Sequence, residues 1–351
     1  MSSFTNDYMD KVPLDTIIYS NFIRYEKMKE LTLYQYRDSD SNNLNVFIDM
    51  ESVLRPLYKR AVINNTPLYV TILNLCAHIR EYYWTRHQVS TTIFIVDTDN
   101  RTRMIRQDDL SINIPNQQRD SIITISKNKL RMLVPYFPKL YYIEGHVESA
   151  ILIKNIIDKR LNYNHNMVLT KDLLCWQLPS LDPTTCIFRP RKSKAEDTSF
   201  VVNHSNCVNM WIQFINSSKN EISFNRSPLL FSLYIAMTNF REKTLTAYFS
   251  PKDAINRIGG LIDSYQILNG YNSPESIRDL LESMSIKTDK DNLYERYKSI
   301  DLQRLTDIYR TQPCAHDMSW CFSKSDIQSI KSINDNFHIE QPINIIQLYH
   351  C

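Results

Sequence analysis

Glycine is nearly missing from this chain, with 4 in 351 residues. Loops that cradle phosphate on bare backbone amides need several closely spaced glycines, so a P-loop or a dinucleotide fingerprint is excluded. No apolar run approaches the roughly 18 residues of a membrane span, and the opening "MSSFTNDYMDK" carries no apolar signal region. A strong charge of one sign is lacking too. With 41 Lys and Arg against 38 Asp and Glu, the net charge is +3, and any surface for nucleic acid must come from local clustering. Nor is there an even cysteine framework. The seven cysteines (Cys76, Cys175, Cys186, Cys207, Cys314, Cys321 and Cys351) are odd in number and scattered. They read as reduced thiols in an intracellular setting. These absences lead us to expect a soluble, cytoplasmic protein that does not engage a membrane.

What is present is a folded composition, 43% hydrophobic and 23% charged, with a length that allows one large domain or two ordinary ones. The heavy use of Asn, Ile, Lys and Tyr suits an AT-rich genome such as that of a virus. Residues 1–43 read as a polar, Tyr-rich lead-in. Four short apolar runs then behave as buried strands: "LNVFIDM" (44–50), "TTIFIVD" (91–97), "KLYYIE" (139–144) and "NMVLT" (166–170). Between them lie helical patterns: "LYVTILNLCAHIREYYWTRH" (68–87), with Ile72, Leu73, Cys76 and Ile79 apolar, "NKLRMLVPYF", and an amphipathic helix at 147–160. Residues 98–125 are polar and fit no packed element. Strands that are apolar throughout and alternate with helices predict a parallel sheet covered on both faces. After the basic loop "FRPRKSKAED" (188–197) and a short strand at "SFVVN", helices are expected at 228–240, 251–264, 274–284 and 292–310. The fold class is therefore α/β, with a mostly helical C-terminal part.

In open α/β sheets, ligands collect beyond the carboxyl ends of the strands. Asp49, Asp97 and Asp172 stand at or just past three strand ends, and Glu148 opens the helix after the remaining strand. Carboxylates crowded on one rim raise each other's pKa, and a divalent ion relieves the conflict. Mg²⁺ or Mn²⁺, with oxygen ligands and bound waters, would fit and would activate water against a phosphodiester. Each acid also has a structural reading: Asp49 and Asp172 as helix caps, Glu148 as a partner of the helix dipole, Asp97 as a turn residue.

The order of these pieces resembles the flap-endonuclease/5′-nuclease superfamily, itself related to PIN domains. "VFIDM" is similar to the family's first strand with its metal-binding Asp, and "FIVDTDNRTRMIR" to its F-D-G strand end followed by a basic arch. "PKLYYIEGHVESAILI" resembles the approach to the acid-rich helix start, and "VLTKDLLCWQL" the run (L/V)-(S/T)-x-D-x-D-x-x-Q-L. "LYIAMTNFREKTLTAYFSPKDAINRI" (233–258) is similar to the segment with the family's G-D-x-x-D acids and helix–two-turn–helix. The resemblance covers about 44–260 and implies a lead-in (1–43), a PIN-like core (44–220) and a helical region (221–351) with a degenerate helix–two-turn–helix.

It further implies a metal set of Asp49, Asp97, Glu148 and Asp172 with Glu242, the first four also catalytic, and nucleic acid (DNA rather than RNA) guided by Arg101, Arg103, Arg106, Arg119 and Lys252. The departures fall on the same set. Leu174 takes the place of the family's second acid on the fourth strand, and Thr98 that of the Gly after Asp97. At the helix start, either Ala150 follows Glu148 where an acid belongs or His146 precedes it. The D-x-x-D pair becomes Asn239 and Glu242, and Ala247 and Phe249 replace two glycines. Two readings result: a metal-dependent nuclease with an impaired second metal site, or an inactive nuclease fold serving as a structural subunit, for instance in a viral assembly with protein partners. A small-substrate phosphohydrolase is a third, against which the basic arch region speaks.

"CAHDMSWC" (314–321), with His316, and "HSNC" (204–207) contain zinc-type ligands. Structural zinc wants four in two close pairs, nothing in the sequence brings these together, and no zinc is expected. The aromatic residues of "EYYWTRH" (81–87) read as core packing.

Overall fold

The computed structural model describes residues 43–98, 116–134, 137, 139–145, 147–160, 165–172, 174–182, 184–189, 200–202, 228–238, 247–250, 252–254, 256–258, 274–283 and 290–310. The lead-in up to residue 42, Arg101, Arg103, Arg106, His146, the basic loop from residue 190, Asn239, Glu242 and both cysteine–histidine stretches lie outside them.

Two compact units are present. The first contains the described chain up to Lys171 and resumes at Phe188–Val201; the second holds Asp172–Ile187 and the described elements within Val202–Pro313. In the first unit the elements run β1 (Asn43–Asp49), α1 (Met50–Ile63), α2 (Leu68–His87), β2 (Ser90–Thr98), α3 (Asn116–Leu133), β3 (Leu140–Gly145), α4 (Ser149–Arg160) and β4 (His165–Leu169). With β5 (Thr185–Arg189) and β6 (Phe200–Val202) they form a six-stranded sheet in the order β3-β2-β1-β4-β5-β6. The β1–β2, β1–β4 and β2–β3 pairings are all parallel.

Every residue of β1 from Leu44 to Asp49 is buried, as are Asn166 to Leu169 of β4. Because successive side chains point to opposite faces, burial of all of them means that both faces are covered. Phe47, Phe94 and Tyr141, in register across β1, β2 and β3, stack with ring centroids 4.8 and 5.2 Å apart. Asn45 and Asn166 face each other across β1 and β4, and the Asn45 amide nitrogen donates to Asn166 Oδ1 at 3.1 Å inside the sheet. Helix α1 buries Met50, Val53, Leu54, Leu57, Tyr58 and Ala61, the stripe of a 3.6-residue period.

Three elements differ from their sequence expectation. Helix α3 begins at Asn116 and takes up part of the polar stretch expected to stay unpacked. Its buried side is Arg119, Ser126, Lys127, Leu130 and Leu133, so two cations sit on the inward stripe and disguise its period. Helix α4 is not amphipathic: Ser149 through Ile157 are all buried, and the inward Lys154 is paired with Asp158 one turn on. In the second unit the expected single helix 292–310 is two, α8 (Lys290–Lys298) and α9 (Leu302–Arg310). Asp301 divides them, accepting from the Arg304 amide at 3.3 Å as a helix cap and from the Tyr297 hydroxyl at 2.9 Å.

The second unit also holds a 3₁₀ turn (Leu174–Gln177) leading into α5 (Leu178–Leu181), then α6 (Pro228–Thr238) and α7 (Pro274–Ser283). Gln177, fully buried, ties these pieces together. Its amide donates to the Ile300 carbonyl at 2.9 Å, and its oxygen accepts from Ser232 Oγ at 2.9 Å and the Leu302 amide at 3.2 Å. Of the helix expected at 251–264, residues 252–254 and 256–258 are described and are helical, opened by Ser250, which caps Asp253. Among the described residues no helix is long and apolar enough to cross a membrane.

Candidate functional site

The register of the sheet decides where its acids go. Asp49 ends β1 opposite Val96, so Asp97 lies one residue further along and faces Glu144 on β3. By pleat alternation Asp97 shares its face with Tyr142 and Glu144, whereas Asp49 shares the other face with Val96.

Asp49 is fully buried and caps α1. Its Oδ1 accepts from the Glu51 amide at 3.2 Å; its Oδ2 accepts from Ser52 Oγ at 2.5 Å and from Thr170 Oγ1 at 2.7 Å. Thr170 is delivered by β4, one residue beyond the Ile48–Leu169 pair. Ser52 in turn accepts from the Lys171 amide at 2.8 Å. This carboxylate locks the first helix onto the first and fourth strands.

Asp97, also fully buried, is held by a different set. Lys127 Nζ from α3 lies 2.9 Å from Oδ1 and 2.7 Å from Oδ2, the Tyr142 hydroxyl donates to Oδ2 at 2.5 Å, and the Thr98 amide donates to Oδ1 at 2.9 Å. Burial, then the charge of Asp97 and its hydrogen bond, push the Tyr142 phenol far above its usual pKa, so it stays a donor. One turn after Lys127, Arg131 donates to Glu144 with Nε at 3.0 Å and with its terminal nitrogen to both carboxylate oxygens. That contact holds the Arg131 guanidinium above its ordinary pKa.

The remaining sequence candidates are placed as follows. Glu148 is half-buried, and its carbonyl accepts from the Ile151 and Leu152 amides at the start of α4. Asp172, in the second unit, is half-buried and accepts from the Leu174 amide at 3.0 Å, a cap on the 3₁₀ turn. Arg119 is buried on α3, with Nε 3.5 Å from Asp120. Lys252 is exposed in the second unit. Leu174 and Ala150, at the positions where acids were looked for, are fully buried.

A divalent ion needs several oxygen ligands with free lone pairs turned to one point. The donors described above for Asp49 and for Asp97 share no residue and include an ammonium, and among the described residues no three His, Cys, Asp or Glu side chains form a group that could hold a metal.

Sequence reasoning passed over Lys127, Arg131, Tyr142 and Glu144. Glu144 ends its strand as plainly as Asp97 does, and the same edge rule would select it. Lys127 gave no signal, because the helix that carries it looked unpacked at its start.

No family model and no curated protein matches the sequence. Among solved structures, the chain is similar to a pseudo-enzyme–product complex of the bacteriophage T5 flap endonuclease with DNA and metal ions, at 12% identity and a TM-score of 0.49. That match covers 85% of this chain and 100% of the other. It is similar also to the T5 5′-exonuclease with zinc ions bound (12% identity, TM-score 0.46, 85% and 100% covered). Human GEN1 in complex with Holliday junction DNA is a third, at 9% identity and a TM-score of 0.46, with 87% and 71% covered.

Proposed function

We propose that this chain binds nucleic acid on a nuclease-type fold without hydrolysing it. The observation that carries the reading is the state of Asp97, whose two oxygens already receive Lys127, Tyr142 and the Thr98 amide. A carboxylate so occupied has little to offer a metal-bound water. The basic run Arg101, Arg103 and Arg106 directly after β2 supports the nucleic-acid part, as cations that neutralise backbone phosphates. The resemblance of this run to the family's arch favours a DNA strand over RNA. Buried Cys76, Cys175 and Cys186, none of them in a disulfide, suit a reducing, intracellular setting.

The test is incubation of the full chain with labelled flap, single-stranded and duplex DNA, and matching RNA, with and without Mg²⁺ or Mn²⁺. Binding that prefers DNA and no cleavage in any buffer is expected. Metal-dependent cleavage that disappears in Asp49→Ala, Asp97→Ala and Asp172→Ala would reinstate the nuclease reading.

A further inference from the structure

Among the described residues of the first unit, five cations are buried: Arg60, Arg80, Arg119, Lys127 and Lys154. Lys127 reaches a fully buried carboxylate, Asp97, on the carboxyl edge of the sheet, where the sequence suggested a metal.

We infer that α3 supplies the edge with its own cations: Lys127 and Arg131 neutralise Asp97 and Glu144 in the role a divalent ion would otherwise fill. Three observations carry this. Lys127 and Arg131 are four residues apart, so they rise on one face of the helix about 6 Å apart. Asp97 and Glu144 are direct partners across β2 and β3, at the roughly 4.8 Å of neighbouring strands. The two ladders thus match, and each cation meets one acid. Finally, the side chain of Lys127 is only 10% exposed and that of Asp97 not at all, so neither can be neutralised by solvent. Buried charges need a partner with further hydrogen bonds, and Tyr142 and the Thr98 amide complete the set around Asp97. The Arg131–Glu144 pair is more open, at 44% and 22% exposure, and closes the outer side of the ladder.

This inference deepens the proposed reading at the same site and concerns the resting chain. Full-length protein stripped with EDTA and desalted should have the same melting midpoint with EDTA, Mg²⁺ or Mn²⁺, and manganese resonance spectra should show no stoichiometric bound ion. Lys127→Met should lower the midpoint by roughly 10 °C, because Asp97 is left buried and unpaired. Asp97→Asn should do similar damage. The double variant Asp97→Asn with Lys127→Met should recover much of the loss, since no buried charge is then alone. If Lys127→Met does not fold at all, folding of the double variant still supports the pairing, and its failure to fold overturns it. Strictly additive losses also overturn it, as does a saturable rise of the wild-type midpoint with one Mn²⁺ per chain. Stoichiometric Mn²⁺ without cleavage would sink this inference alone; cleavage in metal-free buffer would sink the non-hydrolytic reading alone.

Discussion

Leu174 stands two positions past Asp172, where the resembled family carries an acid, and it is fully buried at the start of a 3₁₀ turn whose four residues are all buried. Restoring an acid there would place a charge in the core of the second unit rather than at a solvated site. Leu174→Asp should therefore cost about 3 kcal/mol or more in a denaturant titration, with no gain from added Mg²⁺. The thiols offer a second residue-scale test. Burial pushes Cys76 and Cys186 each from 9.0 up to about 12. A raised folded pKa means that their contribution is complete below pH 9, where both states keep the proton. It is lost as pH climbs from 9 towards 12, where the unfolded thiols ionise first. The denaturant midpoint should fall over that window, and Cys76→Ala should flatten part of the fall. Both thiols should resist alkylation at pH 8 until the protein is unfolded.

At the scale of elements, strands were easier to read than helices. A strand buried on both faces needs only a short apolar run, and "VFIDM", "TTIFIVD" and "NMVLT" each fall within an observed strand or run just past its end. The first half of helix α3 hid because Lys127 and Arg119 lie on its inward face, whereas α4 falls where a helix was expected and differs only in being buried all round, with Lys154 turned inward. A period analysis scores those letters as solvent-facing, whereas the structure satisfies Lys127 and Lys154 internally with carboxylates. The break between α8 and α9 turns on Asp301, which reads as one polar residue in a helical pattern until its capping bond to Arg304 is seen. Asp301→Ala should destabilise the second unit by about 1 kcal/mol through the lost cap, somewhat more with the Tyr297 hydroxyl left unpaired, measured by denaturant titration.

For the whole molecule, a net charge of +3 gives no general attraction to polyanions, so affinity has to be local and salt-sensitive. Replacing Arg101, Arg103 and Arg106 together with Ala should weaken DNA binding and reduce the slope of log K against log salt by roughly 2 to 3. An unchanged slope would remove that run from the interface.

The sequence alone determined the α/β alternation, the buried strands and the acids at their ends, because apolar period and chain order are local properties that side-chain identity reports directly. What those acids are for was decided by tertiary structure. Register turned Asp97 towards Glu144 and away from the face of Asp49, and β4 brought Thr170 onto Asp49 across 121 residues. Helix α3 laid Lys127 on Asp97 from 30 residues away. A carboxylate's chemistry follows from which donors reach its lone pairs, and those donors came from strands and a helix that only folding brings together.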